Sequence, residues 1–143
     1  MSTLERAIEI ATEAHRGQFD KAGNNYIGPP LRVMSAGKTL NEKIVGVLHD
    51  VVEDSGWTFE QLSNEGFSDE IIAALRCVTK LSEDESYDEF IERVTKNDLA
   101  IAVKINDLSD NMDIRRLKEL TEKDFQRLQK YHRAYTRLIS NGL

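Results

Sequence analysis

A chain of 143 residues with 40% hydrophobic and 31% charged side chains has the size and make-up of one globular domain with one core, and neither a disordered nor a membrane-embedded chain fits it. The net charge of −6 argues against duplex nucleic acid as the main partner, since that binding leans on phosphate neutralisation by clustered Lys and Arg. Cys77 is the only cysteine, which excludes an intramolecular disulfide and any multi-thiolate zinc site. The first fifteen residues interleave charges with apolar side chains, so they form neither a signal peptide nor a membrane span, and cytoplasmic residence is expected.

Leu4, Ala7, Ile8, Ala11 and Ala14 keep helical spacing behind Thr3 as cap, which predicts a first helix over 4–16. It runs into the loop GQFDKAGNNYIGPP, where glycines and paired prolines rule out regular structure; a loop this long in a compact domain is often functional. Pro30 then suits the first turn of a helix over 31–40, shortened by Gly37. Asn41 is expected to cap a third helix, EKIVGVLHDVVED, that stops near Ser55–Gly56. Thr58 with Gln61 makes a capping box for a short helix, Ser68 caps DEIIAALRCVTKL, and Ser86 precedes YDEFIERVTKN. Asp98 starts LAIAVKINDLSDNM, and a last helix spans 121–140 with Gly142 beyond its end. No segment alternates as a half-buried strand does, so the expectation is an all-α single domain over 1–143, with seven or eight helices.

Chemistry concentrates in Val45–Asp54. Ile44, Val45, Val47, Leu48, Val51 and Val52 make an apolar stripe, and His49, Asp50, Glu53 and Asp54 intrude on it or follow it. An imidazole beside a carboxylate offers a mixed donor pair to Mn²⁺, Fe²⁺, Co²⁺ or Zn²⁺. A satisfied core histidine next to a capping acid is the plainer explanation of the pair alone. A second intrusion lies in the segment opened by Asp98, where Lys104, Asp107 and Asn111 are spaced by three and four and share one face. Asp107 is the best-placed third metal ligand, and Glu53 and Asp54 could position or deprotonate a water on the cation.

The segments AHRGQFDKAG (14–23), YIGPPLRV (26–33), LHDVVEDSGWT (48–58), VTKL (78–81) and KINDLSDNMDIRRL (104–117) together resemble the HD-domain metal-dependent phosphohydrolases, specifically the RelA/SpoT (p)ppGpp hydrolase domain in its short single-domain form. The resemblance implies an all-α HD fold that uses a metal, usually Mn²⁺, to remove the 3′-pyrophosphate of guanosine tetra- or pentaphosphate. It implies His49, Asp50 and Asp107 as metal ligands, Glu53 and Asp54 as handlers of the attacking water, and Lys21 and Asn111 along the substrate pocket. Lys104 opens the last motif, where a lysine can stabilise charge growing on phosphate. Arg32, beside the motif loop, joins the substrate-binding candidates; Lys38, Arg115, Arg116 and Lys118 are expected to be solvated. His15 is expected to be a core histidine, and Trp57 a packing anchor for the Thr58 helix.

Two positions depart from the family pattern. Pro29 stands where the Tyr-Ile-x-His-Pro motif carries a fourth metal ligand, and Asp20 where long-form enzymes carry an arginine near the substrate. The leading expectation is a ppGpp hydrolase without synthetase activity, acting on a small nucleotide. The alternative raised by Pro29 is a catalytically impaired domain that binds a nucleotide or a protein partner; a phosphohydrolase for another nucleotide is a third.

Overall fold

The computed structural model describes residues 2–20 and 22–142. Among these residues the regular structure is helical, and the sole β-type pairing is an isolated antiparallel bridge between Phe19 and Asn25. The α-helices are α1 (Leu4–Ala14), α2 (Gly28–Ala36), α3 (Leu40–Leu48), α4 (Val51–Asp54), α5 (Phe59–Asn64), α6 (Asp69–Val78), α7 (Tyr87–Val94), α8 (Asp98–Asn111) and α9 (Glu122–Gly142), with a 3-10 turn at Ile114–Arg116.

Most starts follow local chemistry. The side chains of Thr3, Ser68 and Ser86 accept from the backbone N–H three residues on, and Thr58 with Gln61 forms the expected reciprocal box. Several boundaries differ from expectation: α1, α2, α6 and α7 each end two to four residues early, and three further differences stand out. Thr39 rather than Asn41 caps α3, its hydroxyl accepting from the Glu42 N–H. The helix α2 begins at Gly28, so both prolines sit in its first turn, where their missing N–H groups have no helical partner to lose. The last helix runs through Gly142 instead of stopping short of it.

The expected third helix is also interrupted at His49–Asp50 and resumes as α4, which gives nine segments where seven or eight were expected. The carbonyl of Gly46 would receive the Asp50 N–H in a continuous helix; it receives His49 Nδ1–H instead, at 2.6 Å. A side-chain bond thus replaces one rung of the ladder.

At the centre lies α3, with Ile44 to Leu48 all buried, packed against α1, α2, α6 and α8. A helix apolar on every side is one surrounded by others. Gly46 marks the crossing with α2, where a Cβ would lie 3.2 Å from Met34 N and Val33 C. Trp57 packs against the core, as expected of an anchor. Among the described residues no helix is long and apolar enough to cross a membrane.

Candidate active site

The break between α3 and α4 and the middle of α8 meet across the core. His49 is 3% exposed and Asp107 9% exposed, so imidazole and carboxylate have left water together. His49 Nε2 lies 3.2 Å from Asp50 Oδ2 and 3.3 Å from Asp107 Oδ1. Because Nδ1–H is committed to the Gly46 carbonyl, Nε2 is the free ring nitrogen, buried and without a well-formed hydrogen bond. A bare lone pair between two carboxylates is repulsive, so something positive belongs there.

One candidate is a proton. Burial disfavours the imidazolium, yet Asp50 and Asp107 together outweigh that and hold the His49 pKa well above its ordinary value. The other is a divalent cation. Nitrogen and oxygen donors around one ion at bonds of about 2.1 Å stand about 3.0–3.4 Å apart, the spacing seen here, and the donor chemistry suits a mixed site. Among the described residues no group of three or more His, Cys, Asp or Glu side chains stands in a conformation ready to hold a metal ion. A cation among these donors therefore needs their side chains to reorient, and the orphaned Nε2 is the atom that gains by it.

Each carboxylate has hydrogen-bond partners besides His49. Lys104 Nζ donates to Asp107 Oδ2 at 2.9 Å, and Asn111 Nδ2 donates to Asp107 Oδ1 at 3.1 Å, as the three-and-four spacing along α8 allows. Lys104 is itself buried, its ammonium 5.0 Å above the Phe90 ring. Burial pushes Asp107 up, but Lys104 and His49 more than reverse this and hold it well below the usual carboxylate range. Asp50 likewise falls, against its burial, through His49 and through the Tyr26 hydroxyl, which donates to Asp50 Oδ2 at 2.7 Å.

A cavity of about 500 Å³ opens on this cluster, with Asp50, Lys104, Asp107 and Asn111 in its wall. Pro29 is in the same wall and brings no donor atom. Arg32 lines it too, paired with Asp110 at 2.6 Å, while Lys21 lies outside the described residues. Glu53 and Asp54 are exposed on α4 and are not part of the cavity wall. Surrounding protein, and then the charge of Asp50, raise both of their carboxyl pKa values.

Sequence reasoning missed several groups here. Tyr26 was passed over because a lone tyrosine in a glycine-rich loop gives no spacing signal. Arg127 and Tyr131, one helical turn apart on α9, also line the cavity. Arg116, expected to be solvated, is a wall residue that donates to the Asp110 carbonyl at 2.8 Å. His15 is buried as expected; its Nδ1–H donates to Gln18 Oε1 at 3.0 Å, and Gln18 in turn donates to the Asp54 carbonyl, tying α1 to α4.

No protein-family model matches the chain. It is 32% identical over 124 residues to the probable GTP pyrophosphokinase of Mycobacterium leprae, covering 78% of this chain and 16% of that protein. It is 32% identical over 117 residues to the guanosine-3′,5′-bis(diphosphate) 3′-pyrophosphohydrolase of Haemophilus influenzae, covering 72% and 17%. The chain thus spans about a sixth of the length of these curated relatives. Among solved structures, a metazoan ortholog of SpoT described as hydrolysing ppGpp superposes with a TM-score of 0.79 at 22% identity, over 99% of this chain and 85% of that one.

The fold is therefore the all-α HD type. With sequence similarity added to fold, the chain is a homologue of the RelA/SpoT-type GTP pyrophosphokinases and ppGpp 3′-pyrophosphohydrolases.

Proposed function

We propose that the chain is a divalent-metal-dependent (p)ppGpp 3′-pyrophosphohydrolase, converting ppGpp and water to GDP and pyrophosphate. The observation that carries this reading is the convergence of His49 Nε2, Asp50 and Asp107 at the wall of a nucleotide-sized cavity. Homology to enzymes named for this reaction supports the choice of substrate.

His49, Asp50 and Asp107 would hold the cation, Mn²⁺ in the first instance. When bound, such a cation polarises phosphate oxygens and acidifies the attacking water. Asp107, bonded to Lys104 and Asn111, and Asp50, bonded to Tyr26, are restricted to small reorientations before substrate arrives, which shortens the search along the reaction coordinate. Glu53 or Asp54, turning in from α4 beside Asp50, would take the proton from the attacking water, and the raised pKa of each makes it a stronger base than an ordinary carboxylate. Lys21 and Arg32 contact the phosphates, and Lys104 adds positive charge at the wall. Arg32 must exchange Asp110 for phosphate to do so.

Incubation of the purified protein with ppGpp and Mn²⁺ should release pyrophosphate, and Asp107→Ala should abolish the release. Wild type and Asp107→Ala behaving alike would refute the assignment. Pro29 favours one second reading, a domain that binds nucleotide without turnover; a wild type that binds GDP but gains hydrolysis only on Pro29→His would establish it.

A further inference from the structure

The hairpin that precedes α2 holds an aromatic ring in the open for no reason of folding. Phe19 is 65% exposed, belongs neither to the core nor to the side chains packed on it, and yet lines the cavity. Backbone hydrogen bonds flank it. Tyr26 N–H donates to the Gln18 carbonyl at 2.9 Å and Asp20 N–H to the Asn24 carbonyl at 2.8 Å, one bond on either side of the Phe19–Asn25 bridge. The tip is closed by Asp20, whose Oδ1 accepts from the N–H groups of Ala22 and Asn24, both at 2.9 Å. The carboxylate next to Phe19 is thereby committed to its own turn. From the 3-10 turn after α8, Ile114 and Leu117 line the same cavity, and Ile114 is 37% exposed.

A cavity that carries an open aromatic ring and two aliphatic side chains together with Asp50, Asp107 and several cations suits a ligand with one flat apolar end and one anionic end. We infer that Phe19 is the stacking platform for the nucleobase of the substrate, with Ile114 and Leu117 as the aliphatic side of the same subsite. This rests on the proposed nucleotide hydrolase reading and adds to it a residue that selects nucleotides over simple pyrophosphates. Stacking discriminates weakly among bases, because each has a π-face.

The test compares wild type, Phe19→Ala and Phe19→Trp, substitutions of an exposed side chain outside the proposed metal cluster. Phe19→Ala should raise KM for ppGpp about tenfold, the order expected for one lost base–aromatic stack, with kcat within about twofold. Inhibition by GDP should weaken to the same degree, while inhibition by inorganic pyrophosphate stays unchanged. Phe19→Trp should restore KM, and GDP should quench the introduced indole; wild type, whose sole tryptophan is Trp57, supplies the background. An unchanged KM in Phe19→Ala, or an equal loss of GDP and pyrophosphate inhibition, overturns the inference while leaving the hydrolase reading intact. If wild type hydrolyses no ppGpp, that reading fails, and the indole titration decides Phe19 alone: quenching by GDP, ADP or UDP supports the platform, and quenching by none of them refutes it.

Discussion

Asp107 accepts from Lys104 and Asn111 while facing His49, so its removal acts on stability as well as on chemistry. Asp107→Ala strands a buried ammonium beside a buried imidazole, at a cost of about 3–5 kcal/mol. Asp107→Asn keeps the shape and one acceptor, and is the better probe of function. Both should lower pyrophosphate release by at least about a hundredfold, whereas the fall in thermal midpoint should be clearly larger for the alanine variant. Tyr26→Phe tests the support of the other carboxylate. It removes one hydrogen bond to a charged acceptor, about 1.5–3 kcal/mol of orientation, and should raise the Mn²⁺ concentration for half-maximal activity about tenfold, with activity recovering at saturating metal. No recovery would mean that Tyr26 acts on the reaction itself and not through Asp50.

The elements that matter are two helices meeting where one of them is broken. Gly46 serves both, since it lets α2 approach α3 and gives its carbonyl to His49. Gly46→Ala sets a methyl group 3.2 Å from the α2 backbone, which cannot swing aside as a side-chain tip would. The expected cost is about 1–3 kcal/mol, read as a drop of roughly 3–10 °C in thermal midpoint, and it should outweigh the gain in helix propensity. A rise in midpoint would show that α2 yields easily. Element identity was largely legible in the sequence because Thr3, Thr58, Ser68 and Ser86 act within four residues of themselves. The break at His49–Asp50 was not legible, since it depends on which acceptor the imidazole takes once the core has formed. The site divides in the same way. His49, Asp50 and Asp107 were found as polar intrusions in apolar stripes, and their meeting is what the fold adds. The roles of Lys104 and Asn111 look different once Asp107 is seen to occupy both, and Tyr26 and Phe19 are presented by a loop whose shape no periodicity encodes.

Across the whole molecule, the binding of a cation and the stability of the fold should be linked, because the three proposed ligands come from two places in the core that unfolding separates. Without a cation, the charges of His49 and Lys104 offset the two buried carboxylates. With one, the ion binds the native state and has no preformed site in the unfolded chain, so stability rises with its concentration. At a free Mn²⁺ concentration a hundredfold above Kd the gain is about 2.7 kcal/mol, or roughly 5–11 °C in midpoint for a chain of this size. Mg²⁺, a harder ion that dehydrates reluctantly, should give less. Asp107→Asn should cancel most of the Mn²⁺ shift. Pro29→His places a further nitrogen donor in the cavity wall and should enlarge the shift at a given Mn²⁺ concentration, even though it replaces a residue well suited to the first turn of α2. These variants separate two causes of weak activity. If wild type shows no shift and Pro29→His shows one, the missing donor limits metal occupancy; if both shift alike, three protein ligands suffice and any loss of rate must arise elsewhere in the cavity.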